Sequence, residues 1–351
     1  MSTPTEKMRV GVVGVGRMGR HHARVYAQSP DCELVGVVDD NVENRETNAE
    51  THGCAACESV EQLLELGVRA VSIAVPTTAH LRYAEKLLPA GVACLIEKPL
   101  APDVEEATRL VELAESSGSI LQVGHIERYN PAVRALRRQQ LESGVEIVPR
   151  FIEVHRVSPM TFRSVDVSVV FDMMIHDLDV VLMLMGGSEP VDVQAAGVPV
   201  ITDHDDVCNA RLTFERPQGL CVANVTASRL AFKTERKTRI IADDAYVSID
   251  YAKRNGVLIR RTADEARWHT VKDAIRDGRD LSDVDYEDLV RIEDLPVDDA
   301  DQLELQLGVF LDCVRSGTRP DVDARAGFAA VRTAERIEEA SRAARGVTAG
   351  V

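Results

Sequence analysis

Three groups of residues combine types and spacings suited to chemistry. The first lies in VGVVGVGRMGRHHARVY, where Gly14, Gly16 and Gly19 form G-x-G-x-x-G directly after an apolar strand pattern. Gly14 permits a tight turn, Gly16 lets a pyrophosphate approach the backbone, and Gly19 lets a helix pack against a sheet. The N–H groups at the start of that helix, which include those of Arg17 and Met18 in the loop, favour phosphate charge. Taken alone, the pattern describes a tight packing turn equally well. Asp39 favours binding: it ends the apolar run ELVGVV twenty residues after Gly19. A carboxylate there can accept both hydroxyls of an adenosine ribose. The residues after it are Asp40 and Asn41, with no adjacent arginine to offset a 2′-phosphate, so NAD is expected over NADP.

The second and third groups suit proton and hydride chemistry. Lys98 follows ACLIE at the C-terminal end of an expected strand, where open α/β sheets place ligands. Its charge can polarise a hydroxyl and stabilise alkoxide character as hydride leaves. A surface lysine is the plainer reading of that residue by itself. His176 lies four residues after Asp172 in FDMMIHDLD, so both can face one side of a helix. Histidine titrates near neutrality and can take the hydroxyl proton. Asp172 can orient it or bond a neighbouring hydroxyl. The plainer reading is a carboxylate early in a helix and a buried, satisfied histidine. Asp179 is a candidate for a structural contact. No cysteine–histidine cluster accompanies these residues, so no metal is expected.

Elements must position these groups. From residue 9 to 123, RVGVV, ELVGVV, AVSIAV, ACLIE and ILQVG read as strands that are apolar throughout, as in a parallel sheet covered on both faces. Helical patterns lie between them, at 20–28, 41–50, 60–66, 79–88 and 104–116. Right-handed crossovers then give a doubly wound α/β domain. Past Gly124 the character changes. YNPAVRALRRQQLESG reads as a helix, FIEVHRV as a strand and VFDMMIHDLDVVLMLMGG as an apolar helix. After Gly187 come VDVQAAGV, VCNARLTF, GLCVANVTAS, KTRIIA, AYVSIDY and GVLIR, several of them alternating polar and apolar. This predicts an antiparallel sheet with one exposed face. Residues 261–296 are charged and poorly periodic, and helices are expected at 299–315 and 324–345. The expected architecture is an α/β Rossmann domain plus an α+β domain with a large open, mainly antiparallel sheet. Residues 1–123 form the NAD-binding part and 124–351 the substrate-binding and oligomerisation part, with the C-terminal helix packing back on the first.

Composition limits the partners. The 351 residues exceed one usual core, and 57 acidic against 41 basic residues give a net charge of −16. That field disfavours nucleic acid and anionic membranes. Local N–H groups and arginines can still hold a small anion. No run of about 18 apolar residues suggests a membrane span. Residues 1–7 read as a frayed tail and carry no signal-peptide pattern. The seven scattered cysteines argue against a disulfide framework, and Cys54 and Cys57 form one C-x-x-C without further ligands. The expected location is cytoplasmic.

With these motifs the chain resembles the Gfo/Idh/MocA oxidoreductases, a group named for glucose–fructose oxidoreductase and inositol dehydrogenase. GVVGVGRMGRHHARVY, AVPTTAH followed by IEKPL, and FDMMIHDLD carry the resemblance in order over nearly the whole chain. It implies that Lys98, Asp172 and His176 are catalytic-site residues, with the histidine as acid–base group. It also implies that Pro76, Thr77 and His80 line the nicotinamide side, that Glu97 and Pro99 hold the cofactor ribose and shape the loop, and that subunits pair as dimers or tetramers. VGHIERYNPAVRAL, VVFDMMIHDLDVVLML and VTASRLAFKTERKTRI resemble the branch that oxidises the 3-hydroxyl of UDP-N-acetylglucosamine, ahead of an aminotransferase, toward amino-modified lipid A. A UDP-sugar needs cations. Arg128, Arg156, Arg163, Arg229 and Lys233 are candidates, each with an alternative as a solvated residue. His125 and Asn130 can meet the sugar, and Tyr129 can stack on a ring or sit in the core. Two alternatives remain: a dehydrogenase of a free sugar or polyol such as inositol, and a non-catalytic NAD-binding sensor or scaffold.

Overall fold

The computed structural model describes residues 7–348 apart from 164, 263, 264 and 283. Most of the expected frayed tail, residues 1–6, lies outside the described residues. In chain order the elements begin with β1 (Met8–Val13), α1 (Gly19–Gln28), β2 (Cys32–Val38), α2 (Val42–His52), β3 (Ala55–Cys57) and α3 (Val60–Glu65). They continue with β4 (Ala70–Ile73), α4 (His80–Leu87), β5 (Ala93–Ile96), α5 (Val104–Ser117), β6 (Leu121–Val123), α6 (Pro131–Ser143) and β7 (Pro149–Val157). Next are α7 (Ile175–Leu184), β8 (Asp192–Val198), β9 (Val207–Arg216), β10 (Gly219–Ser228), β11 (Glu235–Ala242), β12 (Ala245–Asp250) and β13 (Asn255–Arg261). The last are α8 (Glu265–Arg276), β14 (Val290–Asp294), α9 (Gln302–Ser316) and α10 (Ala324–Thr348).

Two compact units are interleaved along the chain. The first runs to Tyr129 and adds Val170–Glu189 and Ala300–Glu339; the second holds Asn130–Val169, Pro190–Asp299 and the chain from Ala340. This differs from a single division at 123/124, and the first unit's core gives the reason. Leu303, Leu307, Phe310 and Leu311 of α9 belong to one apolar cluster with Val10 and Val12 of β1 and with Ala23, Val25 and Tyr26 of α1. Asp301 starts α9 by accepting N–H bonds from Leu303 and Glu304. Helices late in the sequence therefore complete the first unit's apolar burial.

The first unit's sheet is parallel throughout, in the order β3-β2-β1-β4-β5-β6. Every residue of β4 and β5 is buried, as a sheet covered on both faces requires. Strand order reverses between β1 and β4. In such sheets ligands bind outside the carboxyl ends of the strands at that reversal. The glycine loop follows β1, and Lys98 follows β5 at the same edge.

The second unit's eight strands are ordered β14-β13-β12-β11-β7-β10-β9-β8. Among the described residues only β7 and β10 pair in parallel there. Along β9, Cys208, Ala210, Leu212 and Phe214 are buried while the residues between them are not, the alternation expected of one dry and one open face. The charged stretch 261–296 contains α8 and the edge strand β14, neither of which its weak periodicity revealed. Among the described residues all seven cysteines are free, no helix is long and apolar enough to cross a membrane, and no group of His, Cys, Asp and Glu could hold a metal ion.

Candidate active site

The glycine loop has the geometry that a dinucleotide pyrophosphate needs. Gly14 has φ 82°, a region that favours glycine, and its N–H donates to Val38 O at 2.7 Å. A Cβ on Gly19 would collide with the Gly14 carbonyl oxygen, so only glycine lets α1 start there. A Cβ on Gly16 would meet nothing within 4 Å. That open space beside bare backbone fits a pyrophosphate. No side chain caps α1: Met18 precedes it, and exposed Arg17 lies in the loop. A helix start without a side-chain cap suits an anion.

Asp39 closes the loop on its far side. Its Oδ2 accepts the Val15 N–H at 2.8 Å, and its Oδ1 accepts the Asn41 N–H at 2.8 Å. No arginine adjoins Asp39 in sequence, yet α2 brings Arg45 to it, and Arg45 Nη1 donates to Asp39 O at 3.0 Å. Sequence neighbours alone could not reveal that approach. Pro76 and Thr77 lie just after β4, where Thr77–Ala79 forms a 3-10 turn.

Lys98 and Asp172 come together. Lys98 Nζ donates to Asp172 O at 2.7 Å and lies 3.9 Å from Asp172 Oδ1. Both side chains are partly buried, which strengthens the attraction relative to open water. Val170–Met174, including Asp172, is a π turn, and α7 follows with His176 as its second residue. The sequence suggested a regular α-helix through Asp172 and His176. The π turn, with i→i+5 bonds, is a type often found at functional sites.

Glu97 is largely enclosed. Its Oε1 accepts from His22 Nε2 at 3.0 Å, and its Oε2 accepts the Lys98 N–H at 3.3 Å. Burial pushes its pKa up, but the His22 hydrogen bond and the charges of His22 and Lys98 outweigh this and hold it below the ordinary carboxylate range. The Lys98–Pro99 peptide is cis. The sequence reading passed over His22, although its position on the buried stripe of α1, beside Ala23, Val25 and Tyr26, was a readable signal.

Several expected ligand contacts face inward instead. His80 is buried, with Nδ1 3.1 Å from Leu100 O and Nε2 3.1 Å from Val75 O. It braces the turn after β4 against the chain at Leu100. Burial holds its pKa below the usual value although the two carbonyls favour the proton. Arg128, assigned to phosphate, instead makes a buried two-pronged pair with Asp179 at 2.7 and 2.6 Å and donates to Asp321 O at 3.0 Å. Burial opposes its charge, and the Asp179 carboxylate outweighs that penalty. Tyr129 is buried in the first unit, 3.5 Å from Gln122 Nε2, so it is a core residue and not an open stacking platform. His125 is also buried, and neither ring nitrogen has a hydrogen-bond partner among the described residues. Its imidazole keeps two open hydrogen-bonding positions, and burial lowers its pKa.

The remaining candidates belong to the second unit. Asn130 is buried and caps α6 through the Ala132 N–H at 3.1 Å. Arg156 is buried with its guanidinium 5.7 Å from the Tyr251 ring centre. Arg229 is buried against Asp206 at 3.2 Å and donates to Val167 O at 2.6 Å. Asp206 also accepts N–H bonds from Val200, Ile201 and Thr202, which overcome burial and hold its pKa at about 2. Arg156 and Arg229 thus both have buried partners inside the second unit. Arg163 and Lys233 are exposed.

Residues 8–125 match a family described as an oxidoreductase family with an NAD-binding Rossmann fold, and residues 156–248 match the GFO/IDH/MocA C-terminal domain. The chain is 43% identical over 244 residues to the UDP-N-acetylglucosamine 3-dehydrogenase of Acidithiobacillus ferrooxidans, covering 70% of this chain and 74% of that protein. A solved structure of that enzyme superposes with a TM-score of 0.83 at 36% identity, covering 97% of this chain and 99% of the other. An inositol 2-dehydrogenase of Rhizobium meliloti is 30% identical over 200 residues, 55% of this chain and 59% of that protein.

Proposed function

The chain belongs to the Gfo/Idh/MocA oxidoreductases, and from that premise we propose that it oxidises the 3-hydroxyl of UDP-N-acetylglucosamine to a ketone. It is an NAD-dependent oxidoreductase. The reading of its chemistry rests on one observation above the others: a lysine cation just past the end of β5 held 2.7 Å from the Asp172 carbonyl oxygen, four residues before His176. The choice of sugar is supported by the 43% identity to a UDP-N-acetylglucosamine 3-dehydrogenase against 30% to an inositol dehydrogenase.

Gly14, Gly16 and the start of α1 would hold the pyrophosphate of NAD, and Asp39 its adenosine ribose. NAD, when bound, supplies the hydride acceptor. Lys98 polarises the substrate hydroxyl and stabilises the negative charge that develops on its oxygen. His176 takes the hydroxyl proton. Asp172 fixes the Lys98 ammonium and orients the sugar. Arg163 and Lys233, as exposed cations, are the candidates for the UDP phosphates. The second unit supplies the substrate surface and its open sheet face pairs subunits. The ketone product suits an aminotransferase that installs an amine, in a cytoplasmic route toward amino-modified lipid A.

The test is direct. Purified protein is incubated with NAD and, separately, UDP-N-acetylglucosamine, N-acetylglucosamine or inositol, and absorbance is followed at 340 nm. A coupling aminotransferase and its amino donor are included because ketone formation is unfavourable at equilibrium. Turnover of the UDP-sugar alone is expected. Turnover of inositol with none of the UDP-sugar, coupled or not, reverses the assignment. Tight NAD binding without turnover of any sugar points to a sensor.

A further inference from the structure

We propose that His22 is a positioning residue for Lys98, acting through the Glu97 carboxylate. This rests on the reading of Lys98 as catalytic. His22 lies one turn into α1, the helix that follows the glycine loop, and its side chain is fully buried. Its Nε2 donates to Glu97 Oε1 at 3.0 Å. The other carboxylate oxygen accepts the Lys98 backbone N–H at 3.3 Å. Glu97 is thereby gripped from α1 while it grips the peptide of the next residue.

Two further observations define the grip. The Glu97 N–H donates to Ile73 O at 3.0 Å, which fixes its backbone to β4. Gly124, after β6, leaves the room its side chain occupies: a Cβ there would stand 2.9 Å from Glu97 Oε1 and 3.1 Å from Glu97 Cα. The carboxylate is therefore set between α1 and the end of β6 and has one place to sit. Lys98, immediately after it, inherits that fixed start and reaches Asp172 O at 2.7 Å.

The chemistry of the position argues against plain packing. Its neighbours on the buried stripe of α1 are Ala23, Val25 and Tyr26. An apolar residue at 22 would match that stripe, whereas His22 leaves Nδ1 buried with no hydrogen-bond partner among the described residues. An unsatisfied buried polar atom is destabilising, and its retention requires a compensating task. That task is to satisfy a carboxylate that would otherwise be buried without a donor on that oxygen. It couples the helix that opens the cofactor cradle to the turn that presents the lysine.

The experiment compares H22L, H22Q and E97Q with the wild-type full chain. Steady-state kcat and KM are measured for NAD and sugar, melting temperature is recorded, and Lys98 acetylation by acetic anhydride is followed by peptide mass spectrometry without sugar. Loss of the grip in H22L lowers kcat by about a hundredfold, the scale of a 1 Å misplacement, while KM for NAD stays near wild type. Lys98 is acetylated faster in H22L, because its ammonium is no longer held. H22Q, which can still donate, restores most of kcat and the slow acetylation. Should H22L fail to fold, E97Q carries the comparison, with weakened acceptance from His22 and the same two readouts. Wild-type kcat and acetylation in H22L overturn the proposal, as does a loss that tracks melting temperature and is not rescued by H22Q. If the wild-type protein oxidises no sugar, the proposed function fails while the acetylation rates still decide whether His22 positions Lys98.

Discussion

At the scale of single residues, the proposed mechanism divides the work between a fixed charge on Lys98 and a movable proton at His176. Lys98→Met removes the charge but keeps the stem, and His176→Ala removes the proton acceptor. Each is expected to lower kcat by about 10²–10⁴-fold, the usual range for a general acid–base or electrostatic group. NAD binding, followed by quenching of protein fluorescence, should persist in His176→Ala. Full activity in both variants would remove this mechanism. Asp39 bears on the choice of cofactor. Asp39→Ala should weaken NAD by about tenfold to a hundredfold, the scale of hydrogen bonds to a charged group, and narrow the gap to NADP. The approach of Arg45 to Asp39 O makes the second effect plausible on charge grounds. An unchanged ratio of the two affinities would show that Asp39 does not read the ribose. Lys98 and Asp39 were legible in sequence because each sits at a strand end fixed by the α/β pattern. The buried ion pairs of Arg128 and Arg229 were not legible, for the opposite reason. Arginine type advertises phosphate binding, but partner carboxylates such as Asp179 and Asp206 are distant in sequence and appear only on folding.

At the scale of elements, the loop between β1 and α1 separates two roles that G-x-G-x-x-G merges. Gly19 has no room for a methyl group because the Gly14 carbonyl fills the space, while Gly16 faces open space. Gly16→Ala should therefore melt like the wild type yet bind NAD poorly. Gly19→Ala should lose stability first, seen as a lower melting temperature with or without NAD. Equal melting losses in both variants would mean that Gly16 is structural too. The strongly patterned elements were readable: the fully buried, largely apolar strands β4 and β5, and α9 with its Asp301 cap. The short or locally unpatterned ones were not. Strand β3 is three residues long, and β14 and α8 lie in a charged stretch where tertiary pairing, not periodicity, fixes the backbone. The π turn at Val170–Met174 has no sequence period of its own, since inserting one wider turn leaves the apolar pattern nearly unchanged.

At the scale of the whole molecule, buried polar groups set how stability responds to mutation and pH. Asp179→Asn leaves the buried Arg128 guanidinium facing a neutral amide, with its partner's negative charge gone and one acceptor oxygen left. Breaking one side of such a pair costs about 3–5 kcal/mol, so the denaturation midpoint should fall sharply. A midpoint within error of the wild type would mean that water replaces the carboxylate. The pH response has a defined sign. His80 and His125 are both held below the ordinary value of 6.5 by burial. Above that pH the imidazoles are neutral folded and unfolded, and they add no pH dependence. Below it the unfolded chain takes up protons that the folded chain refuses, so stability falls as pH drops, by at most about 1.4 kcal/mol per pH unit for each histidine. Glu97 and Asp206 act in the same direction at lower pH. Both are held below their ordinary values, and Asp206, at about 2, contributes stability that is present above pH 4 and lost as pH falls toward 2. Urea denaturation at pH 7.5, 6.5 and 5.5 should show a loss that begins near 6.5 and flattens in His80→Gln and His125→Gln. Stability that is level from pH 7.5 to 5.5 would place a proton on one of these buried rings in the native state. His80 would be the first suspect, because both its nitrogens already face carbonyl oxygens.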